Sequence, residues 1–97
     1  MIASNFNENG PFYELKKWLD TNASNFGFEI IYTNDPNRLG FKYEPWHFTY
    51  MPTASKMLEC YIEMDCFHNI DFENNMGHSA LNKEELNFYF ENHIKNP

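Results

Sequence analysis

Basic residues are scarce in this chain. Seven Lys and Arg stand against 14 Asp and Glu, a formal net charge of -7 at pH 7. That sign argues against nucleic acid and anionic membrane surfaces as partners. It leaves a small peptide substrate open. Long apolar runs are also missing: nothing reaches the ~18 residues that mark a transmembrane helix, so no transmembrane segment is expected. The opening Met1-Ile2-Ala3-Ser4-Asn5 lacks the basic and apolar regions of a signal peptide, which by itself points to the cytoplasm. Cysteine is down to two, Cys60 and Cys66, too few for a disulfide framework. On one helix they are separated by about 9 Å of rise, beyond the ~7 Å that a disulfide bridges. They are expected as free thiols, mostly buried. They have no C-x-x-C spacing to recommend them as zinc ligands.

Aromatic rings are what the chain has in quantity. They make up 19% of its 97 residues, within a hydrophobic share of 42%. A chain this short forms one small domain, 1–97, and buries only roughly 60–65% of its unfolded surface. So many large side chains also fit half of a larger core.

The pattern along the chain is mixed α and β. Gly10-Pro11 opens a helix whose stripe is Phe12, Leu15, Leu19, Ala23 and Phe26, widened by Trp18. Gly27 suits a left-handed helix end. Residues 28–32 read as a strand, and Thr33-Asn34-Asp35-Pro36-Asn37 as a turn. The whole connection from Thr33 to Tyr43 is about a dozen residues, a length that is usually functional or mobile. A second strand is expected from Trp46 to Tyr50, closed by Met51-Pro52. A helix capped by Thr53 or Ser55 then runs to about Asp65. Phe67, Ile70 and Phe72 belong to a packed, irregular link, with a turn over 74–77. Asn82 with Glu85 three residues on marks the start of a last helix, whose apolar face holds Leu86, Tyr89, Phe90, His93 and Ile94. The fold class is therefore α+β: a small antiparallel sheet with flanking helices. Two strands are marginal alone, so the sheet is expected to gain strands from elsewhere.

The chemistry concentrates in Gly40-Phe41-Lys42-Tyr43-Glu44-Pro45-Trp46-His47-Phe48-Thr49-Tyr50. Glu44 and His47 stand three apart with Pro45 between them, which rules out a helix interior. In a regular strand they point to opposite faces. A bend or bulge at Pro45-Trp46 brings them to one side. An imidazole beside a carboxylate suits a zinc ligand with its general base. Spacing alone leaves the alternative of two surface residues. Arg38 suits a peptide's terminal carboxylate, although a loop salt bridge with Asp35 or Glu44 is the preferred reading. Trp46 is expected to pack under the site, with a substrate wall as the alternative. His68, His78 and His93 have no second ligand at a recognisable spacing.

Three blocks carry a resemblance: Asn22-Ala23-Ser24-Asn25-Phe26-Gly27-Phe28, Arg38-Leu39-Gly40-Phe41, and Glu44 to Tyr50. In order and spacing they resemble the VanY-like D-alanyl-D-alanine carboxypeptidases, LAS-type zinc peptidases of the hedgehog/D-Ala-D-Ala peptidase-like fold. The resemblance covers about 3–66, and about 67–97 looks like a C-terminal helical extension. It implies a Zn²⁺ cofactor with His47 as one ligand and Glu44 as general base. The implied substrate is a peptidoglycan stem peptide losing D-alanine, in the cell envelope or periplasm. The family's earlier motif, S-x-H-x-x-G-x-A-x-D, supplies the other two ligands, and nothing like it occurs here. The chain is therefore expected to be the C-terminal half of a peptidase domain, which pairs with a separately supplied N-terminal half or self-associates. The alternative is a truncated, non-catalytic relative that acts as a structural or interaction fragment.

Overall fold

The computed structural model describes residues 1–71, 73–74 and 77–97, without the His78 side chain. The expected turn over 74–77, the packing of Phe72 and the His78 imidazole lie outside what is described. The fold is α+β: among the described residues, a two-stranded antiparallel sheet with three α-helices, α1 (Tyr13–Asn22), β1 (Phe28–Ile30), β2 (Phe48–Tyr50), α2 (Met51–Glu63) and α3 (Lys83–Tyr89).

The helix expected from residue 11 starts two residues later. Phe12 N–H is taken by the Asn5 carbonyl at 2.9 Å, and the Phe12 carbonyl receives Lys16 N–H, so Phe12 is the residue flanking α1. A 3-10 turn, Ala23–Phe26, extends α1 to Gly27, which is left-handed at φ 84° as expected. A Cβ at Gly27 meets the Tyr50 ring at 2.9 Å, so close packing demands glycine as well.

Both strands are shorter than expected. They pair as Phe28↔Tyr50, Glu29↔Thr49 and Ile30↔Phe48. Beyond Ile30 the ladder breaks, because residues 44–47 turn away. Only Ile31 N–H to His47 O (3.1 Å) and Glu44 N–H to Tyr32 O (3.0 Å) carry it on.

Helix α2 begins directly at Met51, so neither Thr53 nor Ser55 caps it. Tyr50 is extended, Pro52 sits in the first turn where its missing N–H costs nothing, and Ser55 Oγ donates back to the Met51 carbonyl. Its end at Glu63 is followed by Asp65 with φ 50°. At α3 the expected cap forms: Asn82 Oδ1 accepts from Glu85 N–H at 2.8 Å. The helix then widens into a π-helical segment, Phe90–Lys95.

The apolar stripe of α1 does not form a core. Leu15, Trp18 and Phe26 are exposed, and α1 contributes no buried residue. Phe88 and Tyr89 are exposed too. Cys60 and Cys66 are free thiols, but one is exposed and the other half-buried. Of the expected stripe, Ala23 alone is buried, and the other burial among the described residues lies in two small clusters. One gathers Phe6, which lies 5.2 Å from Phe12 and 5.9 Å from Trp46, with buried Pro45. The other pairs Phe67 with Phe90 at 5.0 Å. The radius of gyration is 16.7 Å, against about 13 Å for a compact domain of this size. The apolar face of α1 lacks cover among the described residues.

Candidate active site

Pro45 builds the site. Glu44 to His47 is a β-turn, closed by His47 N–H to the Glu44 carbonyl at 3.1 Å, with Pro45 at the position that its fixed φ favours. The turn brings both side chains to one side, and His47 Nδ1 lies 3.0 Å from Glu44 Oε2. An ionised carboxylate only accepts, so Nδ1 carries the proton and donates it. His47 Nε2 and Glu44 Oε1 have no hydrogen-bond partner among the described residues. The pair is accessible: the side chains are 44% and 33% exposed.

The chain around the pair fixes it. Tyr32 holds both members, its carbonyl taking Glu44 N–H and its ring lying 4.7 Å from the His47 ring in an edge-to-face arrangement. Trp46 turns the other way, onto Phe6. Thr49 lines an open, largely apolar groove of about 880 Å³ with Ile31, Met51, Leu58 and Ile94; His47 lies outside it.

Arg38 is not where the preferred reading put it. It forms an ion pair with neither Asp35 nor Glu44. Its Nε and one terminal nitrogen donate to the Thr33 carbonyl, at 3.2 and 2.7 Å; the same nitrogen reaches the Phe41 carbonyl at 2.7 Å. The other nitrogen donates to the Pro97 carbonyl. Two carbonyls of the loop and the main-chain oxygen of Pro97 offer the guanidinium the acceptors that water otherwise supplies.

Zinc takes imidazole nitrogen and carboxylate oxygen, so the donor chemistry here fits one ligand and an attendant carboxylate. It falls short of the three protein ligands of a catalytic zinc. Among the described residues no group of three or more His, Cys, Asp and Glu is placed to hold a metal. His68 is engaged with Asp65 and Asn87, and His93 sits among rings. Sequence reasoning did not foresee that Tyr32, Phe41 and His93 lie in ring contact in a line that ends at His47. Their types are ordinary core types, and only the fold brings them into line.

A family model described as VanY, D-alanyl-D-alanine carboxypeptidase, matches residues 1–53. The chain belongs to that family. The match contains the whole turn with Glu44 and His47, together with Arg38 and Trp46, and stops just inside α2. No curated protein and no solved structure matches the chain. No helix among the described residues is long and apolar enough to cross a membrane.

Proposed function

We propose that this VanY-family chain supplies part of the active site of a zinc D-alanyl-D-alanine carboxypeptidase, with His47 as a metal ligand and Glu44 as general base. The observation that carries the reading is the turn that sets an accessible imidazole 3.0 Å from a carboxylate, inside the family match. The substrate is a peptide ending in D-Ala-D-Ala, released from or attached to peptidoglycan, and the site of action is the cell envelope. When bound, zinc supplies Lewis-acid polarisation of the scissile carbonyl and activation of water. His47 offers Nε2 outward as the ligating atom. Glu44 Oε1 takes the proton of the attacking water and returns it to the leaving amine, while Oε2 keeps the imidazole oriented. The two remaining ligands come from polypeptide other than these residues, an N-terminal half carrying the family's ligand motif being the simplest source. Cysteines 60 and 66 take no part.

Calorimetric titration tests the ligand count. The chain alone binds zinc weakly or not at all, and with the N-terminal half added it binds one zinc with an affinity that His47→Ala abolishes. Tight one-to-one binding by the chain alone, lost in His47→Ala, refutes the incomplete-site reading. The second reading, a non-catalytic relative, draws on the same shortfall of ligands. It gains if the reconstituted pair holds no zinc.

A further inference from the structure

The C-terminal segment lies outside the family match, yet it reaches the site. Four rings run from it to the Glu44–His47 pair. His93 lies 4.6 Å from Phe41, Phe41 lies 5.4 Å from Tyr32, and Tyr32 lies 4.7 Å from His47. Successive planes cross at 79°, 71° and 73°, so each contact is edge to face. That geometry suits the aromatic quadrupole and resists rotation of either partner. Backbone contacts hold the segment down beside the rings. Arg38 ties the Pro97 carbonyl to the loop that carries Phe41. At Gly40 the approach is so close that a Cβ there falls 2.5 Å from the Asn92 carbonyl oxygen and 2.9 Å from that of Pro97.

We propose that residues 90–97 form a strap, and that His93, Phe41 and Tyr32 are positioning residues that hold the His47 imidazole against Glu44 with Nε2 outward. The proposal rests on the reading of Glu44 and His47 given above. The physical need is specific. His47 sits on an exposed turn, and the outer torsion of a histidine is broad and roughly two-fold. Partial rotation about it tilts the ring plane, moves Nδ1 away from Glu44 and lengthens the hydrogen bond. A single hydrogen bond at a wet site opposes this weakly. The Tyr32 ring fixes the imidazole plane, Phe41 fixes Tyr32, and the strap fixes Phe41. The catalytic turn is local in sequence, but its precision is delivered from the far end of the chain.

The tautomer of His47 in the 97-residue chain tests this without metal or turnover. Long-range proton–nitrogen NMR is recorded about two pH units above the ordinary imidazole value of ~6.5. The natural chain is expected to show one form, with the proton on Nδ1 and a bare Nε2. Phe41→Leu removes a ring from the line. Gly40→Ala keeps every ring and pushes the strap off through the Asn92 carbonyl. Both are expected to lower the ratio of Nδ1–H to Nε2–H form roughly two- to tenfold, the range one aromatic contact supports. Phe41→Tyr keeps the ring and is expected to restore the natural ratio. If Phe41→Leu fails to fold, Gly40→Ala decides. A folded Gly40→Ala chain with an unchanged ratio overturns the strap and leaves the Glu44–His47 pair standing. A Phe41→Tyr chain that behaves as Phe41→Leu overturns the role of the ring. A natural chain that already averages both forms overturns the pair and the strap together.

Discussion

Replacing His93 by phenylalanine should stabilise the chain, although it changes a residue in contact with three others. His93 Nδ1 is sealed from solvent and has no hydrogen-bond partner among the described residues. A buried polar atom left unpaired costs about 1–3 kcal/mol. What the imidazole does usefully is stack: it lies 4.6 Å from Phe41, 5.0 Å from Tyr89 and 6.3 Å from Phe88. A phenyl ring keeps those contacts and deletes the orphan nitrogen. It is slightly larger, and a near volume-conserving swap gives back up to ~1.5 kcal/mol in repacking. The balance is a gain of about 1 kcal/mol. For a domain of this length that raises Tm by roughly 4–8 °C. His93→Ala is the counterpart: it also removes the nitrogen, but it loses the stacking, and should destabilise by about 1–2 kcal/mol. Urea denaturation followed by circular dichroism reads both. A loss of stability in His93→Phe similar to that in His93→Ala would show that Nδ1 has a partner, and the reasoning from the unpaired atom would be refuted.

Other expectations follow from particular contacts. Gly27→Ala should cost about 2–3 kcal/mol in a urea melt, combining a left-handed φ with a 2.9 Å approach to the Tyr50 ring; a loss near zero contradicts both terms. His68 has its pKa raised by the hydrogen bond to Asn87 and then by that to Asp65, so the charged ring is the one held. The stability this adds is fully present below the ordinary 6.5 and is lost as pH rises through the raised value. Melts between about pH 5 and 8 should lose that slope in His68→Gln; an unchanged slope rejects the assignment. In a reconstituted enzyme, Glu44→Ala should abolish turnover at near-normal zinc content, whereas His47→Ala should lower both. An empty metal site in Glu44→Ala makes Glu44 a ligand and not a base. The exposed Leu15, Trp18 and Phe26 on one helix, beside a sheet of two strands, should make the isolated chain marginal and self-associating. A monomeric, cooperative melt above ~65 °C runs against that.

What the sequence made legible was mostly local. Pro45 between Glu44 and His47 implied a bend, and the bend is a turn with proline where its φ fits. Gly27 and Asn82 announced a helix end and a helix start through backbone requirements that few residues meet. The start of α2 was misread for a local reason too. Thr53 and Ser55 are good caps, but Pro52 already suits a first turn, and an extended Tyr50 lets the helix begin straight from the strand. The α1 stripe was misread for a non-local one. Its spacing is that of a buried face, and periodicity carries no information about whether a partner surface is present. Arg38 failed similarly, because carbonyls from Thr33, Phe41 and Pro97 converge only once the chain is folded.

The Arg38 network bears on how the site can work. Four of the five guanidinium N–H groups are taken, so a substrate carboxylate binds in two-pronged fashion only if one or more of these contacts is given up. The Pro97 carbonyl is the one contributed by the strap. Releasing it loosens the segment that packs His93 on Phe41, and with it the support of Tyr32 beneath His47. A carboxylate at Arg38 and a well-held imidazole at His47 therefore compete. The arrangement suits Arg38 as a structural clamp between the loop that precedes Glu44 and the C-terminal segment. Arg38→Lys separates the two roles. Lysine keeps the charge but cannot span three carbonyls. If Arg38 is a clamp, the substitution lowers the stability of the free chain and mixes the His47 tautomers with no substrate present. If Arg38 instead reads the substrate, the free chain is unaltered and only KM of the reconstituted enzyme rises.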